Sequence, residues 1–285
     1  MSKHPSNRAA VGHSRPVQSS VESAILALQM QRPDEAERIA AGVLKADRGS
    51  IVAARILGRA LLMQNRADEA VIPLKRIARR SNDPAIEMEL AGALAAAGQT
   101  AAALDQLQRT SERRPPFAPA FLEYSNQLAR NGRYDEAMAV LERGLEAAPD
   151  AVDLRVALAL GHIKRNDRAS ARAMLQRAVA DAPQRPDVLA ALARVLAQDG
   201  EYPAAADLFR KALALQPDDA VTRSSLGACL LEMGERDAGE ASLRLAARGG
   251  PQMAGAAITA LASASHGRFF LRPSEAAKFL HIDKK

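Results

Sequence analysis

The chain has 285 residues and a net charge of +6, with one Cys, no Trp and 3% aromatic against 48% hydrophobic residues. A single cysteine excludes an internal disulfide framework, and a core built from Ala and Leu points to helices rather than strands. The charge lies at the ends. Residues 1–16 hold Lys3, Arg8 and Arg15 without an acid, and 266–285 also carry a net +3, which leaves 17–265 neutral. A neutral body argues against nucleic acid as the partner of the folded part.

Residues 1–16 lack hydrophobic periodicity and are predicted to be a disordered basic tail. They contain no apolar core of a secretory leader, and no uncharged apolar run approaches the ~18 residues that span a bilayer. A soluble cytoplasmic protein without a membrane span is the expectation. Ser19 and Glu22 have capping-box spacing ahead of Ile25, Leu26 and Leu28, which predicts a first helix over Ser20–Gln31.

From there a period sets the architecture. Pro115, Pro149, Pro183, Pro217 and Pro251 stand 34 residues apart. Gly98, Gly132, Gly200 and Gly234 keep the same beat, with Asn166 in the place between. Asp-Glu-Ala recurs at Asp34–Ala36, Asp68–Ala70 and Asp135–Ala137, where carboxylates suit the start of a helix. The third triplet arrives one residue early for two periods, so a residue is missing near Ser81–Pro84. Each unit reads as two helices of about 12–14 residues joined at the Gly or Asn and stopped by the proline. The units are 17–50, 51–83, 84–117, 118–151, 152–185, 186–219 and 220–253. A degenerate eighth unit begins at 254 and runs with a capping helix to 285. Such pairs cannot bury their apolar faces alone and must stack. The fold class is all-α, a solenoid of stacked antiparallel helix pairs.

No catalytic or metal constellation is present. The phosphate-loop and dinucleotide fingerprints, C-x-x-C and H-E-x-x-H are absent. Cys229 lies in the apolar run Leu226–Leu231 and reads as a buried, inert thiol. His162 takes the bulky eleventh position of its unit and reads as a packed imidazole without a partner. No cofactor, small molecule or metal is expected, and no enzymatic activity.

The repeat resembles the tetratricopeptide repeat family. Residues 186–219 carry Leu189, Leu192, Ala193, Gly200-Glu201-Tyr202, Ala205, Phe209, Ala212 and Pro217. Residues 118–151 carry Phe121, Leu128, Gly132, Tyr134, Ala137, Leu141 and Pro149. The resemblance implies a right-handed superhelix whose first helices line a concave groove. The family's large residue at the fourth position survives as Phe121, but Glu87, Arg155 and Arg223 replace it elsewhere. Carried onto this chain, the groove positions supply Arg55, Arg59, Asn126, Arg130, Lys164 and Arg194, the acids Glu89, Glu123, Asp153 and Asp187, and the apolar residues Met63, Met88, Leu122, Val156, Leu160, Ile163 and Leu231. The clamp that some members use for chaperone tails is not reproduced, since Leu122 and Ala157 stand where Lys and Asn are required. The implied partner is another protein or an extended peptide with some acidic side chains.

The last stretch is aromatic. Phe269, Phe270 and Phe279 fall near His266–Pro273 and a short helix over Ser274–His281, for which Ser274 is a candidate N-cap. One reading is a cap on the open end of the solenoid. The other is a docking patch or the remnant of a second domain. The expected function is therefore a non-enzymatic interaction scaffold or adaptor. Two alternatives stand beside it: an accessory, substrate-recruiting subunit for a transferase, hydroxylase or envelope-assembly partner, and nucleic-acid binding through the basic tails.

Overall fold

The computed structural model describes residues 14–270 and 272–281, and every described element is helical. Seven helix pairs follow one another: α1 (Ser14–Gln29) with α2 (Pro33–Ala46), α3 (Ile51–Met63) with α4 (Ala67–Ala78), α5 (Pro84–Ala96) with α6 (Thr100–Ser111), α7 (Ala118–Arg130) with α8 (Tyr134–Ala147), α9 (Val152–Lys164) with α10 (Arg168–Asp181), α11 (Pro186–Gln198) with α12 (Tyr202–Leu215), and α13 (Ala220–Glu232) with α14 (Arg236–Ala247). α15 (Pro251–Ser263) and the short α16 (Pro273–Phe279) follow. The fold is an all-α solenoid of antiparallel pairs. It divides into two compact units, one ending at Ala148 and one beginning at Pro149. In the first, α1, α3, α5 and α7 lie side by side in one layer, and α2, α4 and α6 each pack between two of them. In the second, α10, α12 and α14 pack in the same way between their neighbours.

The turn inside every pair has one geometry. Gly98, Gly132, Gly200 and Gly234 have φ between +74° and +82°, the left-handed region where a Cβ is costly. The residue after each donates back across the last helical turn, as Gln99 N does to Leu94 O at 2.9 Å and Arg133 N to Leu128 O at 3.0 Å. This is the Schellman closure of a helix C-terminus. Asn166 takes the same place at φ +59°, and so do Asn65 at +58° and Gln31 at +60°. Asn65 and Gln31 extend the series to the first two pairs.

Within a pair, the helices touch through small residues. Ala36, Ala70, Ala103, Ala137, Ala171 and Ala205 occupy one register position of the second helix and are buried. Gly239 takes it in the seventh pair, where a Cβ would come within 3.0 Å of Gly227 O. Gly227 is equally confined, since a Cβ there would meet Leu243 Cγ at 2.7 Å. Close axial approach therefore depends on these residues, and the larger side chains fill the spaces around them.

The fourth position is rebuilt with charge. Arg155 is buried, pairs with Asp181 and donates to Pro149 O. Glu87 accepts from Arg113, and Thr110 Oγ1 donates to it at 3.0 Å. Each pair joins residues 26 apart in matching units, so the same bridge is built with opposite polarity. Arg223 has Gly249 at that offset and instead reaches Pro217 O. No buried side-chain polar atom lacks a hydrogen-bond partner among the described residues.

Several expectations are corrected. α1 starts at Ser14, so Ser19 and Glu22 lie inside the helix rather than at its start. Pro251 does not close the second helix of its pair. α14 ends at Ala247, Gly250 takes φ +122°, and Pro251 opens α15 at its first turn, where a missing N–H costs nothing. The eighth unit thus starts three residues before 254. α16 begins at Pro273 after Arg272, which leaves Ser274 inside the helix rather than capping it. His162 has a partner: its Nδ1 lies 3.0 Å from Asp167 Oδ2. Cys229 is buried in the core of the second unit, and desolvation pushes its thiol up to about 11.

The C-terminal segment folds back on the second unit. Leu280 and Ala276 are buried, and Phe270 and Phe279 pack against Leu231, Leu243 and Leu261 with their ring centroids 5.3 Å apart. The guanidinium groups of Arg244 and Arg268 lie 4.2 and 4.7 Å from the Phe279 ring centroid. Both arginines also reach the buried Glu240, as does Arg236. Gly267 permits the return, since a Cβ there would overlap Leu261 O at 1.9 Å. Phe269 alone of the three aromatics points outward, at 74% exposure.

Candidate functional site

The first helices of the first unit enclose a cleft of about 590 Å³. α3 supplies its floor. Val52, Arg55, Ile56, Arg59 and Leu62 line it at spacings that place them on one helical face. Ile25, Leu28 and Gln29 of α1 form one wall, and Glu89 and Gly92 of α5 form the other. Small Gly92 leaves the α5 side open. The result is an apolar trough with two guanidinium groups along it.

Those two arginines differ. Arg55 Nε lies 2.9 and 3.0 Å from the two oxygens of Glu89, and Nη2 joins the same carboxylate. The hydrogen bonds to Glu89 raise the Arg55 pKa, while partial burial opposes that rise. The pair is internally neutral. Arg59 stands one turn further along, exposed and without an ion-pair partner among the described residues. It is the charge in the cleft that an incoming carboxylate could take up.

The groove residues expected from the sequence divide between the two units. Arg55 and Arg59 share the cleft. Met63 is exposed at the end of α3, and Met88 on α5 and Leu122 on α7 are half-buried outside the cleft lining. Asn126 and Arg130 are exposed on α7. In the second unit, Leu160 and Lys164 are exposed on α9, whereas Val156 and Ile163 pack against the core. Arg194 on α11 is exposed and helps to hold the Asp219 carboxyl low. Leu231 is a correction. It is fully buried, because side-chain-free Gly239 lets it sink against α14 and the returning C-terminal segment packs over it.

The acids of the same helices are largely engaged. Glu123 accepts from Gln127 Nε2 at 2.8 Å, and Arg185 joins both Asp153 and Asp187. That pairing leaves Arg59, Arg130 and Lys164 as exposed cations without ion pairs among the described residues. Sequence reasoning missed Ile25, Leu28, Val52 and Leu62. They occupy the same register positions as the expected groove residues: Ile25 and Leu28 follow when the frame is extended to α1, and Val52 and Leu62 lie beside Arg55 and Arg59 on α3 itself. Among the described residues no group of three metal-ligating side chains occurs, and no helix is long and apolar enough to cross a membrane.

Two family models described as tetratricopeptide repeat match the chain, one over residues 21–84 and 88–152 and the other over 128–195 and 196–263. Among solved structures, a tetratricopeptide repeat protein from Parabacteroides merdae is 14% identical, covers 94% of this chain and 100% of its own, and has a TM-score of 0.58. The hetero-tetramer Cut9–Hcn1 of APC/C matches 94% of this chain with 55% of its own at 16% identity and a TM-score of 0.53. MamA is 18% identical over 58% of this chain and 90% of its own, with a TM-score of 0.50. These likenesses show the fold. No curated protein matches the chain.

Proposed function

The chain belongs to the tetratricopeptide repeat family, and we propose on that premise that it is a non-catalytic scaffold whose first unit binds an extended segment of another protein. The observation that carries this is the cleft over α1, α3 and α5, where exposed aliphatic side chains flank the unpaired Arg59. Ile25 and Val52 are 41% and 48% exposed, although each sits on a helix whose opposite face is core. A partner segment with an apolar anchor followed by Asp or Glu would desolvate these side chains and give Arg59 a bidentate acceptor. Arg55 and Glu89, already paired, set the boundary of the site rather than its charge.

Affinity purification from the native cell with the wild-type chain, Arg59→Glu and Val52→Asp tests this. Loss of the same proteins from both variants is the expected result. An unchanged set of captured proteins would remove the cleft from the account.

A further inference from the structure

The second helices carry a surface of another kind. α4 runs into Lys75, Arg76, Arg79 and Arg80, all exposed and none joined to a carboxylate among the described residues. Residues i and i+4 share a helical face, so 75 and 79, and 76 and 80, form two adjacent rows. They line a depression of about 670 Å³ whose apolar part is Val71 and Ile72. A second depression of about 340 Å³ shares Lys75 and Arg79 and adds Arg109 and Arg113.

The nearby acids are committed elsewhere. Glu87 is held by Arg113 and Thr110, and Asp105 by Arg109. Asp68 faces Gln99 Nε2 at 3.5 Å. Asp47, close to the Arg80 guanidinium at Gly49, accepts the Gly49 N–H. Basic residues at the C-terminal end of a helix complement its dipole, but one or two suffice, and α8, α10 and α12 have none in their last turns. Like charges at i,i+4 repel, so this cluster works against the helix that carries it. Ile72, 71% exposed beside it, is not explained by a solvated charged face either.

We propose that this face is a second protein-binding site, separate from the cleft of the first helices, and that its occupant is an acidic polypeptide segment with interspersed aliphatic side chains. Four exposed cations, none in an ion pair among the described residues, supply the charge complement. Ile72 offers an apolar contact that a bare polyanion would leave unused. The concave depressions admit a chain but not a bilayer surface, and the residues lining them include no aromatic ring on which a nucleic-acid base would stack.

The test is fluorescence anisotropy with a labelled peptide of repeated Glu-Asp-Leu triplets, a Gln-Asn-Leu peptide of equal length, and an oligouridylate of equal charge. Binding would be measured for the full chain, for a variant with Lys75, Arg76, Arg79 and Arg80 all changed to Gln, and for a charge-matched control with Arg38, Lys45, Arg177 and Lys211 changed to Gln. Salt-sensitive binding of the acidic peptide is expected, weakened roughly tenfold or more in the α4 variant and little in the control. The α4 variant should melt close to wild type, because the repulsion it relieves offsets the dipole complement it loses. Equal weakening in both variants, tighter binding of the oligouridylate than of the acidic peptide, or a lowered melting temperature of the α4 variant would overturn the proposal.

Discussion

The two edges of this molecule treat their apolar side chains in opposite ways. At the C-terminal edge the chain turns at Gly267 and lays Phe270, Phe279 and Leu280 over the last helices, with the Phe279 ring flanked by two arginines and a buried carboxylate beneath them. At the N-terminal edge Ile25 and Leu26 on α1, Met30 in the turn after it and Val52 on α3 remain 41–54% exposed. A stack of helix pairs needs closure at its ends. One edge here is closed from within the chain, whereas the other presents apolar surface. That contrast supports the proposed binding at the first unit, whereas Phe270 and Phe279 of the aromatic segment are packed on the core.

The largest expected effect is at the sealed edge. Leu280→Ala removes a fully buried side chain and should destabilise the chain by about 2–4 kcal/mol, read by denaturant unfolding. Leu26→Ser, the matching change at the open edge, should stay within about 0.5 kcal/mol. If the two substitutions cost the same, the contrast between the edges is wrong. Gly227→Ala should cost about 1–3 kcal/mol through overlap with Leu243, showing how tightly the last full pair is packed.

Asp219 sharpens the picture at lower magnitude. Burial pushes its carboxyl up, but hydrogen bonds from Thr222 Oγ1 and from the Thr222 and Val221 amides outweigh it, and the pKa falls below the ordinary value. The stabilisation is present above the unfolded carboxyl pKa of about 3.9 and is lost as pH falls through the lower folded value. Asp219→Ala should therefore cost about 1 kcal/mol at neutral pH, and the difference from wild type should shrink below pH ~4. Gln31→Gly has the opposite sign. It relieves a left-handed residue and should add about 0.5–1 kcal/mol, whereas Gly98→Ala at the equivalent turn should subtract a similar amount.

Much of the fold is legible in the sequence because backbone rules repeat. Glycine at the left-handed turn and alanine at the helix contact announce themselves through period alone. Gln31 and Asn65 are less legible, because the turn demands only a positive φ and glycine is its commonest rather than its required occupant. Pro251 kept the beat but changed role, since the double glycine before it had already ended α14. The fourth-position charges looked like departures from the repeat until Asp181 and Arg113 were seen 26 residues on, in the same bridge reversed. The basic face of α4 was hidden by arithmetic. A neutral sum over 17–265 says nothing about four cations gathered at one helix end. The cleft is legible in part, through Arg55, Arg59 and Glu89, because charged side chains mark groove positions, whereas Val52 and Leu62 on α3 and Ile25 and Leu28 on α1 look like core in an apolar helix.

The most direct measurement places a photo-crosslinking amino acid at Val52 on the open edge and, in a second chain, at Leu245, which is 45% exposed on α14 of the second unit. The account predicts a discrete crosslinked partner from position 52, lost when Arg59→Glu is added, and none in common from position 245. The same partner from both positions, or none from position 52 in cells where position 245 captures one, would contradict it.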